Sequence, residues 1–207
     1  MVSEAQAAID EARRSGDIQK LQAVLIAEAD KREKQIVEGA GDYLERCREI
    51  AAISFLRGDI DEASRRIDSI LRLVPSDLDA LNRWGHSHSL RGLLPAAEHC
   101  YQRVLELSAD DEAGQAVAYG NLGNVYQTRG DLDAAEDMHK KALGLDEKLG
   151  RLEGMAATYS NLGVVYQKRG DLKSARDLWT RSRDLYAKIG MPHMVKKLQD
   201  WLDSLAP

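Results

Sequence analysis

The residues of this 207-residue chain with the clearest potential for chemistry are His86, His88, His99 and Cys100, which lie on one predicted helical hairpin. Histidine and cysteine are the side chains that bind zinc. However, residues two apart on an α-helix point about 200° away from each other, so His86 and His88 cannot easily share a metal ion. We therefore expect no metal site. We interpret His88 as a packed, hydrogen-bonded core histidine, and His139 as another structural histidine.

The sequence also lacks the motifs of an enzyme. A catalytic site needs a nucleophile with its base, a metal cluster or a cradle for phosphate. No glycine-rich strand-to-helix loop and no GxxxxGK motif occurs, and the carboxylates are scattered as they are on solvated helix faces. We expect neither enzymatic activity nor a cofactor.

Composition excludes further classes. Charged residues make up 30% of the chain, and no run approaches the ~18 apolar residues of a membrane-spanning helix. The net charge of −5 does not suit a protein that binds nucleic acid by neutralising phosphates. Cys47 and Cys100 are too few for a disulfide framework, and the charged N-terminus does not resemble a secretory signal. These features predict a cytoplasmic protein with no nucleic-acid or membrane partner.

Internal repetition is the strongest feature of the sequence. Thirteen residues beginning at Gly120 recur 40 residues later, beginning at Ser160, with ten positions identical. Apolar residues at helical spacing precede a glycine such as Gly130, whose left-handed conformation ends a helix. Asp131 then follows as the N-cap of a second helix. Each unit therefore predicts two helices around a tight turn, and looser units have their turn glycines at Gly16, Gly58 and Gly92.

This pattern resembles the tetratricopeptide repeat. In the unit that begins near Ala116, the matching positions are Tyr119, Leu122, Gly123, Tyr126, Gly130, Ala135, His139 and Ala142. In the last unit they are Tyr159, Leu162, Gly163, Tyr166, Gly170, Ala175, Trp179 and Ser182. The resemblance implies an all-α fold, a right-handed α-α superhelix of about five helix pairs with a C-terminal capping helix.

The resemblance extends over residues 1–207, which we interpret as one solenoid domain. Its predicted units are a degenerate repeat at 3–37, repeats at 43–76, 77–110, 115–150 and 155–190, and a capping helix at 191–207. The last two repeats are similar to the 40-residue units of kinesin light chains. In the cap, the side chains predicted to face inward are those of Met194, Leu198, Trp201, Leu202 and Leu205. Residues 38–42 are a candidate hinge between the degenerate repeat and the next one.

The resemblance also implies where a partner would bind. In tetratricopeptide proteins the first helices line a concave groove that holds a peptide or a partner segment. We predict contacts from Arg48, Asn82, Arg83, Asn121, Asn124, Gln127, Asn161, Gln167 and Lys168. Asn121, Asn124 and Asn161 would bind as amides, which both donate and accept hydrogen bonds. The cations Arg48, Arg83 and Lys168 would pair with charges, and Phe55 and Leu56 would form an apolar pocket.

Alternatives stay open at these positions. Asn124 and Asn161 resemble two parts of the clamp that holds a C-terminal carboxylate in some family members. Gly120 replaces the lysine of that clamp; on the cap, Lys197 matches a basic position but Trp201 replaces the arginine. Asparagine is also part of the repeat consensus, so packing alone would explain it. At the level of function, the alternatives are a self-assembling scaffold, and thus a homo-oligomer, and a ligand-responsive regulatory subunit.

Overall fold

A computed structural model describes residues 4–33 and 40–205, and every regular element in this part of the chain is an α-helix. The all-α prediction is therefore confirmed, and the eleven helices in these ranges match the predicted number of five pairs and a cap. Within the same ranges, no helix is both long enough and apolar enough to cross a membrane. The chain divides into two compact units, Met1–Arg91 and Gly92–Pro207.

The first unit contains five helices, in which each helix packs against the next. They are α1 (Glu4–Ser15), α2 (Ile18–Glu33), α3 (Ala40–Leu56), α4 (Ile60–Leu73) and α5 (Leu78–Leu90). Its core is formed by buried residues that include Leu25, Cys47, Ile50, Ile67 and Ile70. Of the predicted hinge, residues 38 and 39 lie outside the described ranges and 40–42 are the start of α3. Residues 3 and 34–37 of the predicted degenerate repeat also lie outside them.

The second unit contains six helices. They are α6 (Leu94–Leu107), α7 (Glu112–Arg129), α8 (Leu132–Leu149), α9 (Leu152–Lys168), α10 (Leu172–Lys188) and α11 (Pro192–Ser204). α7 packs on α8 and α9 on α10, and consecutive pairs also contact each other. The inward face predicted for the last helix is present, since Leu198 and Leu202 are buried and Met194, Trp201 and Leu205 pack against the same core.

The turns follow the predicted chemistry. Gly130 has a φ of 91°, in the left-handed region that ends α7. The Asp131 carboxylate then accepts a hydrogen bond of 3.1 Å from the Ala134 N–H, which satisfies one of the unpaired donors at the start of α8. The same glycine-then-aspartate turn precedes α4 and α10. These turns set the register that places corresponding residues of each repeat on corresponding faces.

Candidate functional site

In the second unit the first helices of consecutive repeats lie side by side. α7 contacts α9 directly, and the Lys168 ammonium donates a hydrogen bond of 3.1 Å to the Gln127 carbonyl oxygen. The predicted residues of α7 and α9 therefore lie on neighbouring helices, and we treat them as one candidate surface. We name this surface the amide face, defined by Asn121, Asn124, Gln127, Asn161, Gln167 and Lys168.

Several polar groups of the amide face have unused hydrogen-bonding capacity. The side chains of Asn124 and Gln167 are exposed, and neither makes a hydrogen bond to any residue that the structure describes. The Gln127 side-chain oxygen is buried without a hydrogen-bond partner. Asn121 and Asn161 are half-buried. Because amides donate and accept, exposed amides on adjacent helices can bind the backbone of an extended peptide.

In the first unit the three predicted polar contacts already have partners within the chain. The Arg48 guanidinium donates to the Asp77 carboxylate at 2.5 Å, and Asp77 is the N-cap of α5. The Asn82 amide donates to the Leu78 carbonyl at 3.0 Å. Arg83 pairs with Asp79 one turn earlier at 2.7 Å. A partner at these positions would compete with existing interactions.

Apolar surface accompanies these polar residues. Leu56, at the end of α3, is 81% exposed, and the neighbouring Phe55 is half-buried. The Phe55 ring lies 5.7 Å from the ring of His86 on α5, measured between centroids. This ring contact shows that α3 and α5 approach each other here, and the apolar pocket of Phe55 and Leu56 stays a prediction.

The C-terminal positions compared with the carboxylate clamp are arranged differently from a clamp. The Lys197 ammonium lies 4.9 Å from the centroid of the Trp201 ring, which indicates a cation–π contact. The Trp201 ring lies 5.1 Å from that of buried Trp179. Trp201 therefore closes the core at this end instead of supplying a cation for a carboxylate.

The histidines and cysteines of the described residues do not form a cluster that could bind a metal ion. His86 is exposed, whereas Cys47 and Cys100 are buried free thiols, and burial raises the pKa of Cys100 to about 11. No group of three potential metal ligands occurs among the described residues. The prediction that His88 is hydrogen-bonded at its core position is wrong for one nitrogen, because Nδ1 is buried without a partner. His88 instead packs edge-on against Trp84, with ring centroids 4.9 Å apart.

A polar network between repeats was not predicted from the sequence. The Glu98 carboxylate of α6 accepts a hydrogen bond of 2.6 Å from the Tyr126 hydroxyl and one of 2.5 Å from the Arg129 guanidinium. Both donors belong to α7. One repeat later, Glu136 accepts from Tyr166 at 2.6 Å and from Arg169. A partial signal was available, because glutamate follows Gly92 and Gly130 by six residues and tyrosine precedes Gly130 and Gly170 by four.

This network is strongly charge-assisted. Burial would raise the pKa of Glu136, but hydrogen bonds from Lys140, Tyr166 and Arg169 outweigh it and hold the pKa at about 2. The hydrogen bond from Tyr126 lowers the pKa of Glu98. Since hydrogen bonds to ionised groups are stronger than neutral ones, Glu98 links α6 to α7 and Glu136 links α8 to α9.

Comparison with known families supports the interpretation of the repeats. Family models for the tetratricopeptide repeat match residues 76–148 and residues 155–189, which together are more than half of the chain. No curated protein sequence matches significantly.

Solved structures share the fold at low identity. The chain is similar to RapI in its apo form, with a TM-score of 0.76 and 14% identity over 95% of this chain and 81% of that one. It is also similar to nearly identical TPR-like repeats of a Podosopora anserina kinesin light chain, with a TM-score of 0.68 and 19% identity over 91% of this chain and 98% of that one. MamA (41-end) from Desulfovibrio magneticus RS-1 gives a TM-score of 0.65 and 19% identity, over 91% and 98% of the two chains. At such identities the similarity is one of fold.

Proposed function

Because this chain belongs to the tetratricopeptide repeat family, we propose that it is a non-catalytic protein-interaction module that binds a peptide or partner segment along the first helices of its repeats. The observation that carries this proposal is the amide face, where the exposed side chains of Asn124 and Gln167 make no hydrogen bond to the described residues. A polar surface of this kind on packed helices suits recognition of a polypeptide. The cytoplasmic location stays a prediction.

The chemistry of the amide face favours contact with backbone groups of the partner. A peptide N–H can donate to an amide oxygen, and a peptide carbonyl can accept from an amide nitrogen. Lys168 adds a positive charge at the edge of the surface, which would pair with an acidic residue of the partner. The proposed contacts therefore recognise the backbone and the charge of a bound segment more than its apolar side chains.

Arg48, Asn82 and Arg83 take a smaller part in the proposal, since their side chains have partners within the first unit. Exposed Leu56 and half-buried Phe55 offer apolar area there. Burying one such side chain against a partner is worth about 1.5–3 kcal/mol at most. We propose that an apolar residue of a partner docks at this position.

Self-assembly by end-to-end stacking is the competing function, and the residues of α11 disfavour it at that end. On α9, the positions covered by α10 are small, namely Ala156, Ser160 and Gly163. The corresponding positions on α11, 40 residues later, are the exposed Lys196, Asp200 and Asp203. A helix packed on α11 as α10 packs on α9 would bury these charges, which is costly.

The proposal is tested with a library of random peptides panned against the full chain. Peptides that bind are then measured against the double variant Asn124→Ala/Lys168→Ala. The matched control is Gln102→Ala/Lys173→Ala, which removes one amide and one lysine from exposed positions of the second helices α6 and α10. We expect binding to fall by about tenfold or more in the first variant and to be unchanged in the control.

Two outcomes contradict the proposal. Equal binding to both variants would show that the amide face is only part of the repeat consensus. A library that yields no binding peptide, together with a solution mass of two or more chains, would favour self-assembly through a surface other than the outer face of α11.

A further inference from the structure

A cavity that opens widely to solvent lies between α4 and α5, at the place where the inter-repeat network is incomplete. Its volume is about 520 Å³, and it is lined by Asp61, Ser64, Arg65, Asp68, Trp84 and Arg91. Ligand pockets for small molecules have volumes of about 300–1,000 Å³. The cavity belongs entirely to the first unit and is separate from the amide face.

The turn glycines show which residues correspond in each repeat. Six residues after the glycine, Glu98 and Glu136 occupy the position that Ser64 occupies in α4. One residue before the glycine, Arg129 and Arg169 bind those glutamates, and the corresponding residue is Arg91. The short Ser64 side chain bonds to Ser87 at 2.5 Å. The carboxylate that the arginine binds in the α6–α7 and α8–α9 junctions is therefore missing in this one.

The groups that bind this carboxylate elsewhere are still present or are replaced by similar ones. Among the residues that the structure describes, the Arg91 guanidinium pairs only with Asp61, at 3.6 Å, and its side chain is 44% exposed. His88 stands where Tyr126 and Tyr166 donate their hydroxyl protons, and its buried Nδ1 has no partner. Burial, with the nearby charge of Arg91, lowers the pKa of His88.

The lining of the cavity also contains carboxylates. Ten residues after the turn glycine, Lys140 pairs with Glu136 in α8, whereas the corresponding residue of α4 is Asp68. Asp68 pairs with the exposed Arg72 and also lines the cavity. The ring of half-buried Trp84 lies in the same lining, and an aromatic face attracts a cation.

We propose that this cavity binds a small zwitterion, a free α-amino acid, whose carboxylate pairs with Arg91 and whose ammonium group lies toward Asp68 and Trp84. The carboxylate of the ligand takes the place of Glu98 and Glu136 in the repeated network. The lining has two carboxylates, Asp61 and Asp68, and two guanidinium groups, Arg65 and Arg91, and this balance suits a zwitterion with no net charge.

The test uses the full chain and a panel of the twenty free L-amino acids, with binding measured by chemical-shift changes and calorimetry. We expect at least one amino acid to bind. Its α-amide, which lacks the carboxylate, and its N-acetyl derivative, which lacks the ammonium, should each bind at least about tenfold more weakly. Arg91→Gln should weaken binding to a similar extent, whereas Arg129→Gln, at the corresponding position of the second unit, should leave it unchanged.

A second variant supplies the missing carboxylate from within the chain. Ser64→Glu should abolish amino-acid binding and raise Tm by about 2–4 °C, because the new side chain can pair with Arg91. The single variant removes the hydrogen bond between Ser64 and Ser87. If this loss prevents folding, the double variant Ser64→Glu/His88→Tyr is used, which reproduces the glutamate, tyrosine and arginine of the α6–α7 and α8–α9 junctions. The proposal is overturned if no free amino acid binds at about 10 mM, the weakest affinity of interest here. It is also overturned if the only ligand found is a peptide that contains glutamate, or if Arg91→Gln leaves the binding of the amino acid unchanged.

Discussion

The helix pairs α7–α8 and α9–α10 have nearly the same sequence around their turns but different chemistry in their cores. In the first of these pairs, the ring of His139 lies against Gly123, and in the second the ring of Trp179 lies against Gly163. A Cβ atom on either glycine would stand only 2.5 or 2.3 Å from the ring, respectively. Both pairs thus use the same close approach between helix backbone and flat ring.

The two rings differ in how their polar atoms are satisfied. The Trp179 indole N–H donates to the Ser160 carbonyl at 3.0 Å. His139 is fully buried, and neither of its ring nitrogens has a hydrogen-bond partner. Burial lowers the pKa of His139 to about 4. The comparison shows that the same repeated backbone can contain a core ring whose polar atom is hydrogen-bonded, as in Trp179, or one whose polar atoms are not, as in His139.

The largest expected effect separates the two rings directly. Trp179→Ala should reduce the free energy of unfolding by about 3–5 kcal/mol, because it removes a large buried side chain and leaves a cavity. His139→Ala should cost about 1–2 kcal/mol, since it also removes two unsatisfied polar atoms. Urea denaturation followed by circular dichroism measures both. Equal losses would contradict the view that the two cores differ in quality.

The second prediction concerns acid. Unfolding should restore the ordinary pKa of His139, near 6.5, so the unfolded chain binds a proton that the folded chain excludes. Stability is therefore lost as pH falls from about 6.5 toward 4, by up to about 3 kcal/mol.

His139→Phe isolates this contribution. The variant should be about 1 kcal/mol more stable at pH 7, because no buried nitrogen is left unpaired. Its advantage over the parent chain should then grow as the pH is lowered to about 4. Denaturation curves at several pH values measure the difference, and a constant difference across this range would exclude a buried neutral histidine.

The sequence was sufficient for the fold because its signals are local. Turn glycines and N-cap aspartates such as Gly130 and Asp131 determine where helices end and begin, and they recur in register. The partners of side chains that reach a neighbouring repeat were harder to predict. Arg48 has a formal charge that suits a partner, yet it binds Asp77, because α5 begins beside α3 only once the chain has folded.

The network of Glu98 and Glu136 was missed for the same reason. A glutamate among many on polar helices has no local mark that distinguishes a solvated side chain from one that accepts hydrogen bonds from the next repeat. Only the alignment of the junctions shows that Ser64 departs from the pattern. The amide face is intermediate, since its positions follow from the repeat, but the absence of hydrogen bonds from the Asn124 and Gln167 side chains to the described residues does not.

The third prediction compares the junctions that precede the two pairs. Tyr126→Phe removes the hydroxyl that bonds to Glu98 and should cost about 1–2 kcal/mol. Tyr166→Phe should cost less, about 1 kcal/mol, because Glu136 keeps Lys140 and Arg169 as cationic partners. Urea denaturation of the two single variants tests this order, and the reverse order would show that the cations do not support Glu136.

The smallest expected effect concerns Asp146 on α8, which occupies the position of Tyr186 on α10. Tyr186 is buried in the core of the last helices. Asp146 is also buried, its Oδ1 has no hydrogen bond, and Arg151 approaches it only to 3.5 Å. Burial raises the pKa of Asp146 above its ordinary value, and the charge of Arg151 only partly opposes this.

A raised carboxyl pKa means that the folded chain holds this proton more tightly than the unfolded chain does. The ionised form at neutral pH is therefore destabilising, and the penalty disappears as pH falls below the ordinary value near 4. Asp146→Asn should stabilise the protein by about 0.5–1 kcal/mol at pH 7 and by nothing at pH 3, where both side chains are neutral. Denaturation at the two pH values distinguishes this from a gain by packing, which would persist at pH 3. Such a persistent gain would show that the shape of Asp146, and not its charge, weakens α8, and the buried unpaired atoms of His139 and Gln127 would then remain as the polar defects of α7–α8.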